Sequence, residues 1–149
     1  MANKRKNINM QMELKFPYLE EESNIFGKIR RPRIKIKILS ETSGDWEVLD
    51  EVLADTGADL TILPRFMGRL LVDDITAGKY FEVKGVVPGA MLIIYVHELK
   101  IKLGDKKFVA PVGIADSDNV PAILGRAYAL DLFDANFIMG EKLKLCRGD

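Results

Sequence analysis

Residues 34–38 read Ile-Lys-Ile-Lys-Ile, an alternation that sends the isoleucines to one face and the lysines to the other. A period of two is the side-chain period of a β-strand, and one apolar face opposite a charged face predicts a sheet with one wet side. Ser43-Gly44-Asp45 has turn chemistry, so the run over 46–54 is expected to return as the second arm of a hairpin. Residues 79–87 and 90–96 flank Pro88-Gly89, a dipeptide of tight turns, and predict a second hairpin with an apolar tip. Further strands are expected over 97–103 and 107–115, joined at Gly104-Asp105, with a short apolar strand over 122–125 and closing strands over 136–139 and 143–145. Helical spacing is confined to a short turn over 65–71 and a helix over 126–133, where Tyr128, Leu132 and Phe133 cluster on one side. The pattern is therefore all-β with one short helix near the C-terminus. No repeat or low-complexity segment interrupts it. The first 30 residues are less patterned and are expected to form an extension that could add a strand to one domain over 31–149.

Composition narrows the class. A chain of 149 residues with 48% hydrophobic and 30% charged side chains is long enough to bury one core and too short for two comfortable lobes. Its 22 basic and 22 acidic side chains cancel, so no overall field points to nucleic acid or a membrane surface. Arg30-Arg31-Pro32-Arg33 has no interleaved aromatics, and the alternating lysines of 34–38 are explained by solvation and edge protection, so no nucleic-acid partner is expected. Glu20-Glu21-Glu22 reads as a solvated stretch. The single cysteine, Cys146, has no intrachain partner, which suggests a reducing compartment. The basic start of the chain leads into no continuous apolar stretch, and the most apolar window, 90–96, is far below the ~20 residues of a membrane helix. A cytoplasmic protein without a membrane partner is the expectation. His97, the only histidine, sits in a strand pattern and reads as a surface or packing residue; no metal site is expected.

The chemistry-bearing feature is Asp55-Thr56-Gly57, present once, with the apolar run Val52-Leu53-Ala54 before it and Ala58-Asp59 after it. A buried strand, a tight turn carrying a carboxylate and a second strand are the local expectation. Hydrolysis of a peptide bond by carboxylates needs two of them close together, one holding a proton to polarise the carbonyl and one ionised to activate water. Two such groups share one proton and titrate as a unit. Asp116-Ser117-Asp118 lacks the glycine that lets a backbone approach closely. The second carboxylate is therefore expected from another copy of the chain, in a symmetric homodimer with Asp55 on the two-fold axis.

The order of these features, from the strand at 34–38 through Asp55-Thr56-Gly57-Ala58, the Pro-Gly hairpin and Ile123-Leu124-Gly125-Arg126, resembles the retropepsins, the retroviral-type aspartic proteases and their single-domain cellular relatives. The resemblance implies a closed or partly open acid-protease β-barrel and an endopeptidase that acts on a peptide or protein substrate without a cofactor. It implies that Asp55 is catalytic, that the Thr56 hydroxyl locks two active-site loops together and that the Gly57 backbone lies against substrate. Ala58 and Asp59 match groove-lining positions, and Val86-Val87-Pro88-Gly89 matches a flap that closes over a bound peptide. Ile123-Leu124-Gly125 resembles the segment behind the catalytic loop, with Ile123 towards substrate, and Arg126 matches an arginine that pairs with the acid at Asp59. Val86, Val87, Ile123 and Leu63 are candidates for an apolar groove. Ala54 and Pro88 depart from the family's usual larger aliphatic and glycine, respectively. The alternative reading is a non-catalytic peptide-binding or assembly module on the same fold.

Overall fold

The computed structural model of the chain describes residues 12–84 and 89–147. The isoleucine face of the first alternating run is the inner wall of a barrel. Strand β4 (Arg33–Leu39) buries Ile34, Ile36 and Ile38, each at most 1% exposed, and pairs antiparallel with β5 (Trp46–Ala54) through the expected turn. From β5 the sheet runs through β10 (Ile123–Leu124), β6 (Thr61–Leu63), β9 (Lys106–Ala115) and β8 (Met91–Leu103). Lys37↔Lys102 and Ile38↔Ile101 then join β8 back to β4, which closes six strands into a barrel. Closure removes the free edges and leaves an interior filled by Leu63, Ile101, Leu103, Val112, Ile114 and Leu124, all fully buried. Strand β7 (Lys79–Lys84) hangs outside this ring as the partner of the first half of β8, in the expected hairpin. The segments expected separately over 90–96 and 97–103 are one continuous 13-residue strand, because the pairing with β9 runs without a register shift from Ile94 opposite Ala115 to Leu103 opposite Lys106.

One α-helix, α1 (Arg65–Leu71), follows β6 where a short helical turn was expected, and it presses Gly68 against Ile114 of β9. The helix expected over 126–133 is not α-helical. Residues 126–129 turn, and only Leu130–Leu132 winds on as a single 3-10 turn. The reason is local: Tyr128 has a φ of 60° and Ala129 a φ/ψ of −134°/−96°, so the i to i−4 ladder cannot pass through them. The amides bond at other spacings instead: Ala129 N–H to Arg126 and Leu132 N–H to Ala129, three residues back, and Leu130 N–H to Gly125 and Asp131 N–H to Arg126, five residues back.

Residues 12–31 supply three strands. β1 (Met12–Pro17) pairs with β12 (Lys142–Arg147), which also pairs with β11 (Asp134–Ile138). This three-stranded sheet covers the barrel with Leu143 and Leu145, while Leu14 and Phe16 of β1 lean on the same core. β2 (Leu19–Ser23) and β3 (Gly27–Arg31) form a separate hairpin. The run Glu20-Glu21-Glu22 is thus a strand, and Glu21 is not simply solvated: its two oxygens lie 2.6 Å from Arg31 Nε and 2.6 Å from Arg33 Nε. Hydrogen bonding from Arg33 leads the causes that hold the Glu21 carboxyl below its usual pKa, with the charges of Arg33 and Arg31 adding to it. His97 packs as expected, its Nε2 2.8 Å from the carbonyl of Ile75. No helix among the described residues is long and apolar enough to cross a membrane.

Candidate active site

Consecutive strands β5 and β6 do not pair with each other. β10 lies between them, parallel to β5 and antiparallel to β6, with Ile123 opposite both Leu53 and Ile62. The chain from Asp55 to Leu60 must therefore cross the end of β10 to reach β6, and that crossing carries Asp55-Thr56-Gly57. The Asp55 N–H donates to the Leu124 carbonyl at 3.0 Å, continuing the β5–β10 ladder by one bond. The Ala58 N–H then returns to the Asp55 carbonyl at 3.2 Å and closes a tight turn. Within that turn the Gly57 N–H donates to Asp55 Oδ1 at 2.9 Å, so the loop's own backbone aims the carboxylate. A Cβ at Gly57 would stand 3.3 Å from the same oxygen, so a side chain here would push the carboxylate a few tenths of an ångström from its position. Asp55 is half-buried, whereas Thr56 and Gly57 are exposed at the outer side of the turn.

A second turn, after β10, holds the first. The Arg126 N–H donates to Ala58 O at 2.9 Å and the Ala127 N–H to Asp59 O at 2.8 Å. The Arg126 guanidinium meets Asp59 Oδ1 at 3.0 Å, the ion pair expected from the sequence, with the Asp59 side chain 88% exposed. Gly125 is the contact point of the two turns. A Cβ there would lie 2.5 Å from the Leu60 carbonyl carbon, 2.6 Å from its oxygen and 2.9 Å from Thr61 N, all backbone atoms that cannot yield. Its N–H is satisfied by Thr61 Oγ1 at 3.0 Å in a fully buried site. Sequence reasoning missed Thr61, whose hydroxyl acquires its purpose only when the chain 64 positions away folds against it. Leu124 is fully buried and Ile123 is half-buried. Leu63 is fully buried in the barrel core and lines no open groove, because β6 alternates inward at that position.

The β7–β8 hairpin leans towards this loop. Leu60 at the end of the crossing forms, with Phe81, Val83, Ile94 and Val96 and the edge of Glu82, an open, mostly apolar pocket of about 360 Å³. Phe81 and Val83 are 42% and 37% exposed on the outer strand, apolar surface held against no described residue's core. Beside them the Tyr80 hydroxyl donates to Glu82 at 2.6 Å, and that bond to an acid raises the phenol's pKa. Of the flap candidates, Val86, Val87 and Pro88 lie outside the described residues; Gly89 has a φ of 84°, a left-handed conformation that suits glycine. Of the acids in Asp116-Ser117-Asp118, Asp116 faces Arg65 at the start of α1, at 3.4 Å.

No protein-family model matches the chain, and no curated protein sequence matches it. Its architecture does match a solved structure, a retropepsin-like aspartic protease from Rickettsia conorii, with a TM-score of 0.60 over 92% of each chain at 17% sequence identity. At that identity the similarity is one of fold: this chain is an all-β barrel of the retropepsin-like aspartic protease type.

Proposed function

We propose that the chain is an aspartic endopeptidase whose active site is completed by a second copy, each subunit supplying one Asp55. The observation that carries this reading is the Asp55 turn: one carboxylate, aimed by the Gly57 amide on a rigid crossing, half-buried beside two exposed loop residues. A lone carboxylate cannot act at once as the proton donor and as the base. Two related by a two-fold axis through the exposed Thr56-Gly57 edge can. In such a pair one carboxyl donates a proton to the scissile carbonyl oxygen while the other, ionised, takes a proton from the attacking water. The tetrahedral intermediate collapses as the amine leaves with a proton from the pair. The nucleophile is water, so no covalent enzyme intermediate forms. Thr56 would tie the two loops across the axis, and Gly57, Ala58 and Asp59 would present backbone and polar atoms to an extended peptide that adds as a strand. The pocket of Leu60, Phe81, Val83, Ile94 and Val96 would receive an apolar side chain near the scissile bond.

The test is incubation of wild type and Asp55→Asn with a diverse peptide mixture from acidic to neutral pH, with new termini read by mass spectrometry. Cuts made by wild type and by no Asp55→Asn sample are expected, with both proteins folded. Peptide capture without any cleavage, unaffected by the substitution, would replace the peptidase with a binding module on the same fold.

A further inference from the structure

The β2–β3 hairpin is the part of the chain that its own barrel explains least. Its strands pair with each other and with no other described strand. An isolated two-stranded hairpin is at best marginally stable in water, so what it leans on matters. Its root is fixed beside the candidate catalytic turn: the Pro32 carbonyl accepts from the Ala54 N–H at 2.9 Å, one residue before Asp55, and Arg33 Nη1 donates to the Glu51 carbonyl at 3.3 Å. One face, carrying half-buried Leu19, Glu21 and Ile29, is tied to the barrel by the Glu21–Arg33 contact. The other face is exposed and carries Glu20 and Glu22 on β2 opposite Arg30 and Lys28 on β3. At the tip, Ile25 and Phe26 are 83% and 69% exposed.

We propose that this hairpin is a clasp for a second copy of the chain, an inference that rests on the reading of Asp55 as one half of a shared pair. Two observations select that occupant. The hairpin is rooted one residue from the turn that the shared pair would bring onto the two-fold axis. Its exposed face is also self-complementary in charge, acids on one strand and bases on the other. A half-turn about an axis along the strands stacks two such faces with β2 of each copy over β3 of the other, so every acid row meets a basic row. A half-turn across the strands would stack acid on acid, and edge-to-edge pairing would set β2 beside β2 or β3 beside β3, which like charges oppose. The stacked arrangement brings both tips to the same end, where Ile25 and Phe26 of the two copies cover one another. Because the face is neutral overall, it offers little to a strongly charged partner.

Sedimentation of the full chain tests this with two double substitutions, Glu20→Lys with Glu22→Lys and Lys28→Glu with Arg30→Glu. Each alone is expected to weaken the dimer by on the order of tenfold or more, since both strands then carry one sign. An equimolar mixture of the two is expected to recover a heterodimer close to wild-type affinity. That recovery separates lost complementarity from a hairpin that has merely come apart. Ile25→Ser with Phe26→Ser is expected to weaken the dimer at low and high salt alike, whereas the charge effects shrink as salt screens them. Variants that dimerise as wild type does, or a mixture no tighter than its components, would overturn the clasp. If wild type is a dimer that cuts while these variants dimerise unchanged, the clasp fails and the shared-carboxylate reading stands. If the variants behave as expected and nothing is cut, the clasp stands without the peptidase. A wild type that stays monomeric removes both.

Discussion

Gly125 and Thr61 show how much of the site rests on single atoms. The turn after β10 passes so close to Leu60 that a methyl group at 125 would meet three backbone atoms at 2.5–2.9 Å, and one of the two turns would have to move. Gly125→Ala is expected to destabilise the fold by on the order of 1–3 kcal/mol, read from the urea midpoint, and to reduce any cleavage further by displacing Asp55. Thr61→Val keeps the shape but leaves the buried Gly125 N–H without its acceptor, an expected cost of about 1–3 kcal/mol by the same measurement. Asp55 and Gly57 were legible in a short window, and Gly125 only through the resemblance that Ile123-Leu124-Gly125-Arg126 carries, since the backbone it must clear belongs to Leu60 and Thr61. Thr61 was not, since nothing near it in the chain announces a partner 64 residues on.

At the scale of elements, the strands whose inner faces fill the barrel were legible from their period. The Ile34, Ile36 and Ile38 row points inward where alternation places it, whereas in β5 the buried Leu49 and Val52 fall out of step across the register shift opposite Ile34 and Ile36. Elements whose pairing is distant or electrostatic were not. β1 finds its partner at the other end of the chain, Met12 opposite Arg147, and β2 looked like a solvated acidic run because its bases lie on β3. The helix over 126–133 had the right apolar spacing but is interrupted by the left-handed Tyr128. The β2–β3 hairpin carries a pH prediction through Glu21. Its pKa is lowered in the folded chain, mainly by the hydrogen bond from Arg33, so its contribution is fully present above the ordinary value of 4.5 and is lost as pH falls through the lowered folded value. Amide protection in β2 and β3 is therefore expected to hold near neutrality and drop in acid below about pH 4.5, read by hydrogen exchange. With Glu21→Gln, protection is expected to be weaker at neutrality and nearly flat across the same range. An unchanged profile in that variant would show that the carboxylate does not anchor the hairpin.

The whole molecule places the Asp55 carboxylate, aimed by the Gly57 amide, on a turn with an exposed outer edge, beside the root of the β2–β3 hairpin and an apolar pocket under the outer strand. On the proposed reading, a symmetric pair of chains completes the first two together. Subunit mixing tests that claim most directly: the cleavage rate of a fixed amount of wild type is followed as Asp55→Asn chain is added and allowed to exchange. If each active site needs an Asp55 from both subunits, mixed dimers are inactive and the rate falls towards zero as the variant comes into excess, although the amount of wild type is constant. A rate that does not change with added variant, under conditions where exchange is demonstrated, would contradict the shared site.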